Sequence, residues 1–173
     1  MQRNYFELFG LRAAFNIDLD GLDQAFRQLQ AEVHPDRFAA ATDSERRQSL
    51  QWATHANEAY RTLKNPLSRA RYLLQLRGVD TQEESNTAMP ADFLMRQMEW
   101  REAIEEASAS GDSVALDALS RELRQEAKSL QGSLARQLDE QAEYQQASDT
   151  VRKLRFLDRV QTEIDQAIET LEN

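Results

Sequence analysis

The sequence contains no cysteine and only two histidines, His34 and His55, among its 173 residues. Without cysteine the chain can form no disulfide, offer no thiol nucleophile and bind no metal through thiolates. Two histidines are too few for a multi-histidine metal centre. Neither has a glutamate three residues before it, as the carboxylate-bridged di-metal sites of helical bundles require. We therefore predict that the chain holds no metal and no cofactor.

Long apolar runs are also absent, although a membrane-spanning helix would need about 20 consecutive apolar residues. The first ten residues, MQRNYFELFG, enter an amphipathic segment directly and show no signal-peptide pattern. Hydrophobic residues still make up 40% of the chain, which is typical of a globular protein and not of a disordered one. These features predict a cytoplasmic protein.

Negative charge is concentrated in the second half of the chain. Residues 1–78 carry 11 Lys and Arg against 9 Asp and Glu, whereas residues 79–173 carry 10 against 21. The net charge of −9 would repel phosphate backbones and anionic lipids, which disfavours nucleic-acid and membrane binding. The asymmetry also indicates two segments with different roles.

The three prolines and most of the five glycines mark the ends of predicted helices. In the first half, a short apolar segment at residues 5–9 precedes a helix between Asp18 and Pro35, where the missing N–H of proline ends it. Thr42 begins a third helix, whose apolar stripe includes Leu50. The predicted fourth helix is short, with Pro66 in its first turn and Gly78 after its end.

The second half follows a polar, aperiodic linker at residues 79–89. A fifth helix starts at Pro90, a long sixth helix is capped by Asp112 or Ser113, and a seventh begins near Asp149. No segment alternates convincingly with a period of two. The predicted fold is therefore all-α, with a four-helix module at residues 1–78 (a short helix, an antiparallel hairpin and a short fourth helix) and a three-helix antiparallel bundle at residues 90–173.

A tripeptide, His34-Pro35-Asp36, lies in the loop predicted between the second and third helices. In isolation it is a weak signal, because histidine suits a helix C-terminus, proline ends helices and aspartate is common in loops. Its context is more specific, and the accompanying matches are Tyr5-Phe6, Leu8, the Phe26 and Leu29 face, the Ala56, Tyr60 and Leu63 pattern, and Pro66-Leu67-x-Arg69-Ala70. Together these features resemble the J-domain of the DnaJ co-chaperone family.

The resemblance implies that His34, Pro35 and Asp36 bind a heat-shock ATPase chaperone and trigger ATP hydrolysis there. Arg27 and Arg37 match the basic surface that J-domains usually offer to that partner. Pro35 stiffens the loop and lowers the entropy lost on binding, and Asp36 can accept a bidentate hydrogen bond from a partner arginine. We therefore expect a regulator of a partner's ATPase and not an enzyme.

The second half of the chain is similar to one branch of this family, the HscB-type co-chaperones of iron–sulfur cluster assembly. Phe93-Leu94-Met95 and residues 150–158 are the most specific segments. Unlike general DnaJ proteins, the chain has no glycine/phenylalanine-rich region and no cysteine repeat after the J-domain. The resemblance implies two partners, an HscA-type ATPase chaperone and an IscU-type iron–sulfur scaffold protein.

The predicted fifth helix carries more apolar surface than a three-helix bundle needs. At 100° per residue, Phe93, Trp100 and Ile104 share one face, which is the expected core stripe. The apolar residues on the opposite side are Leu94, Met95 and Met98. From the residues alone two interpretations stay open, because this second stripe can pack against the J-domain or a neighbouring helix, or it can bind a partner.

The resemblance favours partner binding at this second stripe. It implies that Leu94, Met95, Met98 and Phe156 are the apolar anchors for the scaffold protein. The residues implied as the polar rim are Glu99, Arg101 and Glu102.

Two other functions remain as alternatives. The chain can be a J-protein that delivers a different client through the same stripe, or an acid/base enzyme that uses carboxylates of the fifth helix, such as Glu105 and Glu106. We assign His55 to packing or to the surface, and Trp52 and Trp100 to core-facing or interfacial positions.

Overall fold

The computed structural model describes residues 2–173, with only the backbone at Pro35. Within these residues every regular element is helical, which confirms the all-α fold class. The chain separates into two compact units, one ending at Arg77 and the other running from Gly78 to Asn173. Each unit has its own buried apolar core.

The first unit contains helices α1 (Tyr5–Leu8), α2 (Leu19–Glu32), α3 (Asp43–Lys64) and α4 (Pro66–Leu76). The start of each long helix follows local capping chemistry. The Asp18 side chain accepts a hydrogen bond from the Gly21 N–H, and Thr42 forms a capping box with Glu45. Helix α3 packs against α1, α2 and α4. The largest side chains sealed in this core are Phe6, Leu22, Leu63 and Leu74.

The buried face of α3 differs from the predicted stripe. Ser49, Ala56 and Ala59 are buried, whereas Leu50 is 66% exposed, so the placement of Leu50 in the core is wrong. Small side chains at the buried positions let the neighbouring helices approach closely, and Leu50 lies 100° around the helix from Ser49. Trp52 is half exposed and therefore does not face the core.

The second unit contains α5 (Ala91–Ser110), α6 (Ser113–Ala135) and α7 (Tyr144–Glu172), and a π-helical turn at Arg136–Glu140 extends α6. Gly111 ends α5 in the left-handed conformation, with φ of 67°, which glycine adopts without strain. Helix α7 begins at Tyr144 and not near Asp149, so the predicted start was five residues late. All three helices pack against one another around one apolar core.

Residues 79–89 form no helix, but they are fixed to the second unit. Thr81 is buried, and its carbonyl oxygen accepts a hydrogen bond of 2.9 Å from Nη1 of Arg152 on α7. Met89 packs against the core of the bundle. None of the helices described here is long and apolar enough to cross a membrane.

A charged network joins α2 to the C-terminal part of α3. Asp23 Oδ1 accepts hydrogen bonds from the Tyr60 hydroxyl at 2.7 Å and from Lys64 Nζ at 2.8 Å. The Tyr60 ring also stacks on Phe26, with 4.0 Å between ring centroids. The hydrogen bonds from Lys64 and Tyr60 lower the pKa of Asp23, and the bond to Asp23 raises the pKa of Lys64.

We predict that Asp23→Asn lowers the thermal unfolding midpoint of the protein at neutral pH. Because the folded-state pKa of Asp23 is below its unfolded value, the stabilisation is present above the unfolded pKa and is lost as pH falls through the folded one. The difference in midpoint between wild type and variant should therefore shrink in acid. Thermal melts over a pH series measure it, with the exposed Glu32→Gln as the control. A difference that stays constant down to acidic pH would contradict this account.

Candidate functional surfaces

The His34 turn, defined here as residues 34–38, joins the two long helices of the first unit. Helix α2 ends at Glu32, and His34 caps a 3₁₀ turn at Pro35–Phe38. The Asp36 N–H donates to His34 Nδ1 at 3.2 Å, and the Arg37 N–H donates to the His34 carbonyl at 3.0 Å. These two bonds within the turn fix its conformation. The loop that the sequence predicted between the second and third helices is thus a short ordered turn at the end of the hairpin.

The hydrogen-bonding pattern of His34 determines what it offers to a partner. Because Nδ1 accepts the Asp36 N–H, the neutral imidazole carries its proton on Nε2. The His34 side chain is 58% exposed and that of Asp36 is 93% exposed. The turn thus presents one N–H donor and one carboxylate acceptor to solvent. The predicted role of the Pro35 side chain falls outside the part of the chain that the structure describes.

Ser49 on α3 holds the end of α2 in place next to this turn. Its buried hydroxyl donates to the Val33 carbonyl at 2.8 Å, and Val33 directly precedes His34. The last carbonyl groups of a helix lack hydrogen-bond partners within the helix. The Ser49 hydroxyl supplies the Val33 carbonyl with such a partner. The sequence analysis missed Ser49. The only available signal was a small polar residue on the helix face that packs against its hairpin neighbour.

The two basic residues predicted for this surface lie at different places. Arg37 is exposed and belongs to the His34 turn itself. Arg27 is exposed on α2, seven residues before His34, and its Nε donates to the Asp23 carbonyl at 3.3 Å. At 1.5 Å per residue, Arg27 lies roughly 10 Å along the helix axis from the turn.

The second surface is the α5 patch, defined here as Leu94, Met95 and Met98. Their exposed fractions are 43%, 63% and 72%, whereas Phe93 and Trp100 of the same helix are buried. The core stripe thus occupies one side of α5 and leaves the patch on the other. Within the second unit no helix covers these three residues, so the interpretation in which they pack against a neighbouring helix of the bundle is wrong.

Phe156 connects the bundle core to the edge of the α5 patch. Its half-buried ring lies edge-on to Phe93, with 5.9 Å between centroids, and the Arg101 guanidinium lies over the same ring at 5.5 Å. Arg101 follows Met98 by three residues and so shares its side of α5. The structure thus brings Phe156 and Arg101 together beside the patch.

The carboxylates predicted for the rim are both exposed on α5. Glu99 lies one turn after Met95, and Glu102 lies one turn after Met98. The patch is therefore an apolar strip flanked by charged side chains, which is the usual arrangement of a protein-binding helix face. Among the residues described, no group of three or more His, Cys, Asp or Glu side chains is arranged to hold a metal ion.

Comparison with known proteins gives consistent matches along the chain. Residues 89–165 match the family described as the HSCB C-terminal oligomerisation domain. The co-chaperone protein HscB homolog of Azoarcus sp. is 51% identical over 173 residues, which cover 100% of this chain and 98% of that protein.

Two solved structures have the same architecture. Chaperone HscB from Vibrio cholerae superposes with a TM-score of 0.86 at 39% identity, covering 98% of this chain and 99% of that one. Human co-chaperone protein HscB superposes with a TM-score of 0.89 at 30% identity, covering 95% of this chain and 82% of that one.

We predict that Ser49→Ala loosens the His34 turn without unfolding the first unit. Removing the hydroxyl leaves the Val33 carbonyl without its partner, which typically costs about 1–3 kcal/mol. Amide hydrogen exchange measured by NMR should show faster exchange at Asp36 and Arg37 than in wild type. The exposed Ser44→Ala on the same helix is the control and should leave both amides unchanged. Equal exchange rates in Ser49→Ala and wild type would show that this bond does not hold the turn.

Proposed function

The chain belongs to the HscB family of co-chaperones, and on that basis we propose that it stimulates the ATPase of an HscA-type heat-shock chaperone and delivers an IscU-type iron–sulfur scaffold protein to it. The observation that carries this proposal is the exposed His34 turn at the end of a fastened helical hairpin. We propose that the chain stimulates its chaperone in the cytoplasm. Co-chaperone relatives favour a regulator of a partner protein over the alternative of an acid/base enzyme.

The first step of the proposal concerns the His34 turn. The Nε2–H of His34 donates to the chaperone, and the Asp36 carboxylate accepts from a basic side chain there, with arginine giving the strongest, bidentate contact. Arg27 and Arg37 attract acidic surface on the same partner. None of these groups takes part in the hydrolysis itself. They act by stabilising the chaperone conformation in which ATP is cleaved, which is an allosteric coupling between two proteins.

The second step concerns the α5 patch and its client. Leu94, Met95 and Met98 provide adjacent apolar anchors, and methionine side chains adapt readily to an opposing surface. Phe156 and Arg101 border the patch on one side, and Glu99 and Glu102 provide polar contacts. A scaffold protein that offers a complementary apolar surface would exclude water from this strip and gain most of its affinity there.

Together the two surfaces make the chain an adaptor. We assign residues 1–78 to a J-domain that binds the chaperone, residues 79–89 to a linker and residues 90–173 to the bundle that binds the scaffold. When both partners occupy one chain, the second binding event becomes intramolecular, so the scaffold reaches the chaperone at a raised effective concentration. This is how delivery can work without a new direct contact between the two partners.

We predict that His34→Gln abolishes stimulation of the chaperone ATPase. Glutamine removes the imidazole and its bond to the Asp36 N–H, so the donor is no longer held in its position. Steady-state ATP turnover of the purified chaperone measures the effect, and scaffold binding by the same variant is the internal control. Undiminished stimulation by His34→Gln would overturn the J-domain assignment.

We predict the opposite pattern for Leu94→Ala, Met95→Ala and Met98→Ala combined. Truncating exposed anchors removes apolar contact area, and the loss of a hot spot worth about 2–4 kcal/mol lowers affinity roughly 30- to 1000-fold. Calorimetric titration with the scaffold protein measures this loss, while ATPase stimulation by the chain alone should persist. Phe156 is left intact because its ring also packs on the core residue Phe93.

The control for this triple variant is Val114→Ala. Val114 is 73% exposed in the first turn of α6 and lies outside the patch. The Val114→Ala variant should bind the scaffold with the affinity of the wild type. If the triple variant also binds normally, the client site lies elsewhere on the chain.

A further inference from the structure

A groove of about 840 Å³ runs along the first unit between α3 and the segment that contains α1. None of its lining residues belongs to the His34 turn or to the α5 patch. The residues that line it are Gln2, Arg3, Leu8, Gln48, Gln51, Trp52 and His55. Its volume lies in the range of known binding sites, and it is partly open to solvent, so an exposed segment of a partner protein can reach it.

Two of the lining residues, Trp52 and His55, carry aromatic rings that contacts with neighbouring rings hold in position. The Trp52 ring lies edge-on to His55 at 6.0 Å between centroids, and His55 lies edge-on to Tyr5 at 5.6 Å. Tyr5 in turn stacks on Tyr72 at 4.4 Å, and its N–H donates to the Tyr72 hydroxyl at 3.0 Å. Trp52 nevertheless remains half exposed. A partner would therefore meet preorganised rings among polar side chains, with little entropy to lose on binding.

Arg3 gives the lining of the groove a positive charge. No carboxylate is among its lining residues, and Arg3 is exposed without an ion pair to any residue that the structure describes. The carboxylates nearest to positions 48–55 along α3 are Glu45 and Glu58, each three residues away, and neither lines the groove. Glu58 interacts with Tyr5. An arginine beside a half-exposed tryptophan is the pair of residue types most enriched at the energetic centres of protein interfaces.

The groove also lies close to the His34 turn along α3. Gln48 is adjacent to Ser49, whose hydroxyl binds the Val33 carbonyl next to His34. With a rise of 1.5 Å per residue, His55 at the far end of this stretch lies roughly 9 Å along α3 from Ser49. A protein that binds the His34 turn therefore needs to extend only a short distance to reach the groove.

We propose that this groove binds an acidic segment of the same ATPase chaperone that the His34 turn engages. The inference rests on the proposed function and identifies a second contact with that partner. A carboxylate of the segment pairs with Arg3, an apolar side chain covers Trp52, and the glutamine side chains bond its backbone. This contact adds affinity but does not trigger hydrolysis, which stays with His34 and Asp36.

Two variants test the proposal, Trp52→Ala and Arg3→Glu. We expect each to raise the concentration needed for half-maximal ATPase stimulation about tenfold, the loss typical of an interface residue worth roughly 1.4 kcal/mol, with maximal stimulation unchanged. Calorimetric titration with the chaperone should show the same loss of affinity. Circular-dichroism melts verify that both variants fold.

Matched controls lie elsewhere on α3. Leu50→Ala removes another exposed apolar side chain about 160° around the helix from Trp52, and Arg61→Glu makes the same charge change as Arg3→Glu on the opposite face. Both should behave as wild type. If the groove variants and the controls bind the chaperone equally well, the groove proposal is wrong. Loss of stimulation in His34→Gln would show that the proposed function survives that failure.

Discussion

The antiparallel pairing of α2 with α3 is the constraint on which the first unit depends. The pair is fastened at one end by the buried hydroxyl of Ser49, which binds the Val33 carbonyl, and at the other by the Asp23 network with Tyr60 and Lys64. Between these ends the small residues Ala56 and Ala59 let α3 pack closely on its neighbours. With both helices fixed, the short turn that joins them has little freedom. His34 and Asp36 are thus held out to solvent by the packing of the whole hairpin.

In the second unit an apolar surface is left exposed because the core uses only one side of α5. Phe93, Trp100 and Ile104 fill one side of α5 and complete the core with α6 and α7. No further helix of this unit covers the opposite side, so Leu94, Met95 and Met98 remain exposed. A bundle that needed this face for stability could not keep it open. The proposed function assigns this exposed apolar surface of α5 to a partner protein.

Local chemistry made much of this structure predictable from sequence. Asp18 and Thr42 cap their helices through their own side chains, and the interruption at Pro35 lies where α2 gives way to the turn. The opposed stripes of α5 followed from helical periodicity alone. In contrast, α7 starts at Tyr144 with no side-chain cap, so nothing in the sequence marked its first residue. The exposed Leu50, the Ser49 bond and the Trp52 groove depend on how α3 packs against other elements, which periodicity within one helix cannot determine.

The central claim is that one chain presents two separate surfaces to two different proteins. NMR titration of the isotope-labelled chain with each partner tests this most directly. The account predicts that the chaperone shifts amide resonances at residues 34–37, and that the scaffold protein shifts those at residues 94–102. Each set should respond to its own partner when the other is already bound. If both partners shifted the same resonances, or displaced one another, the adaptor account would be contradicted.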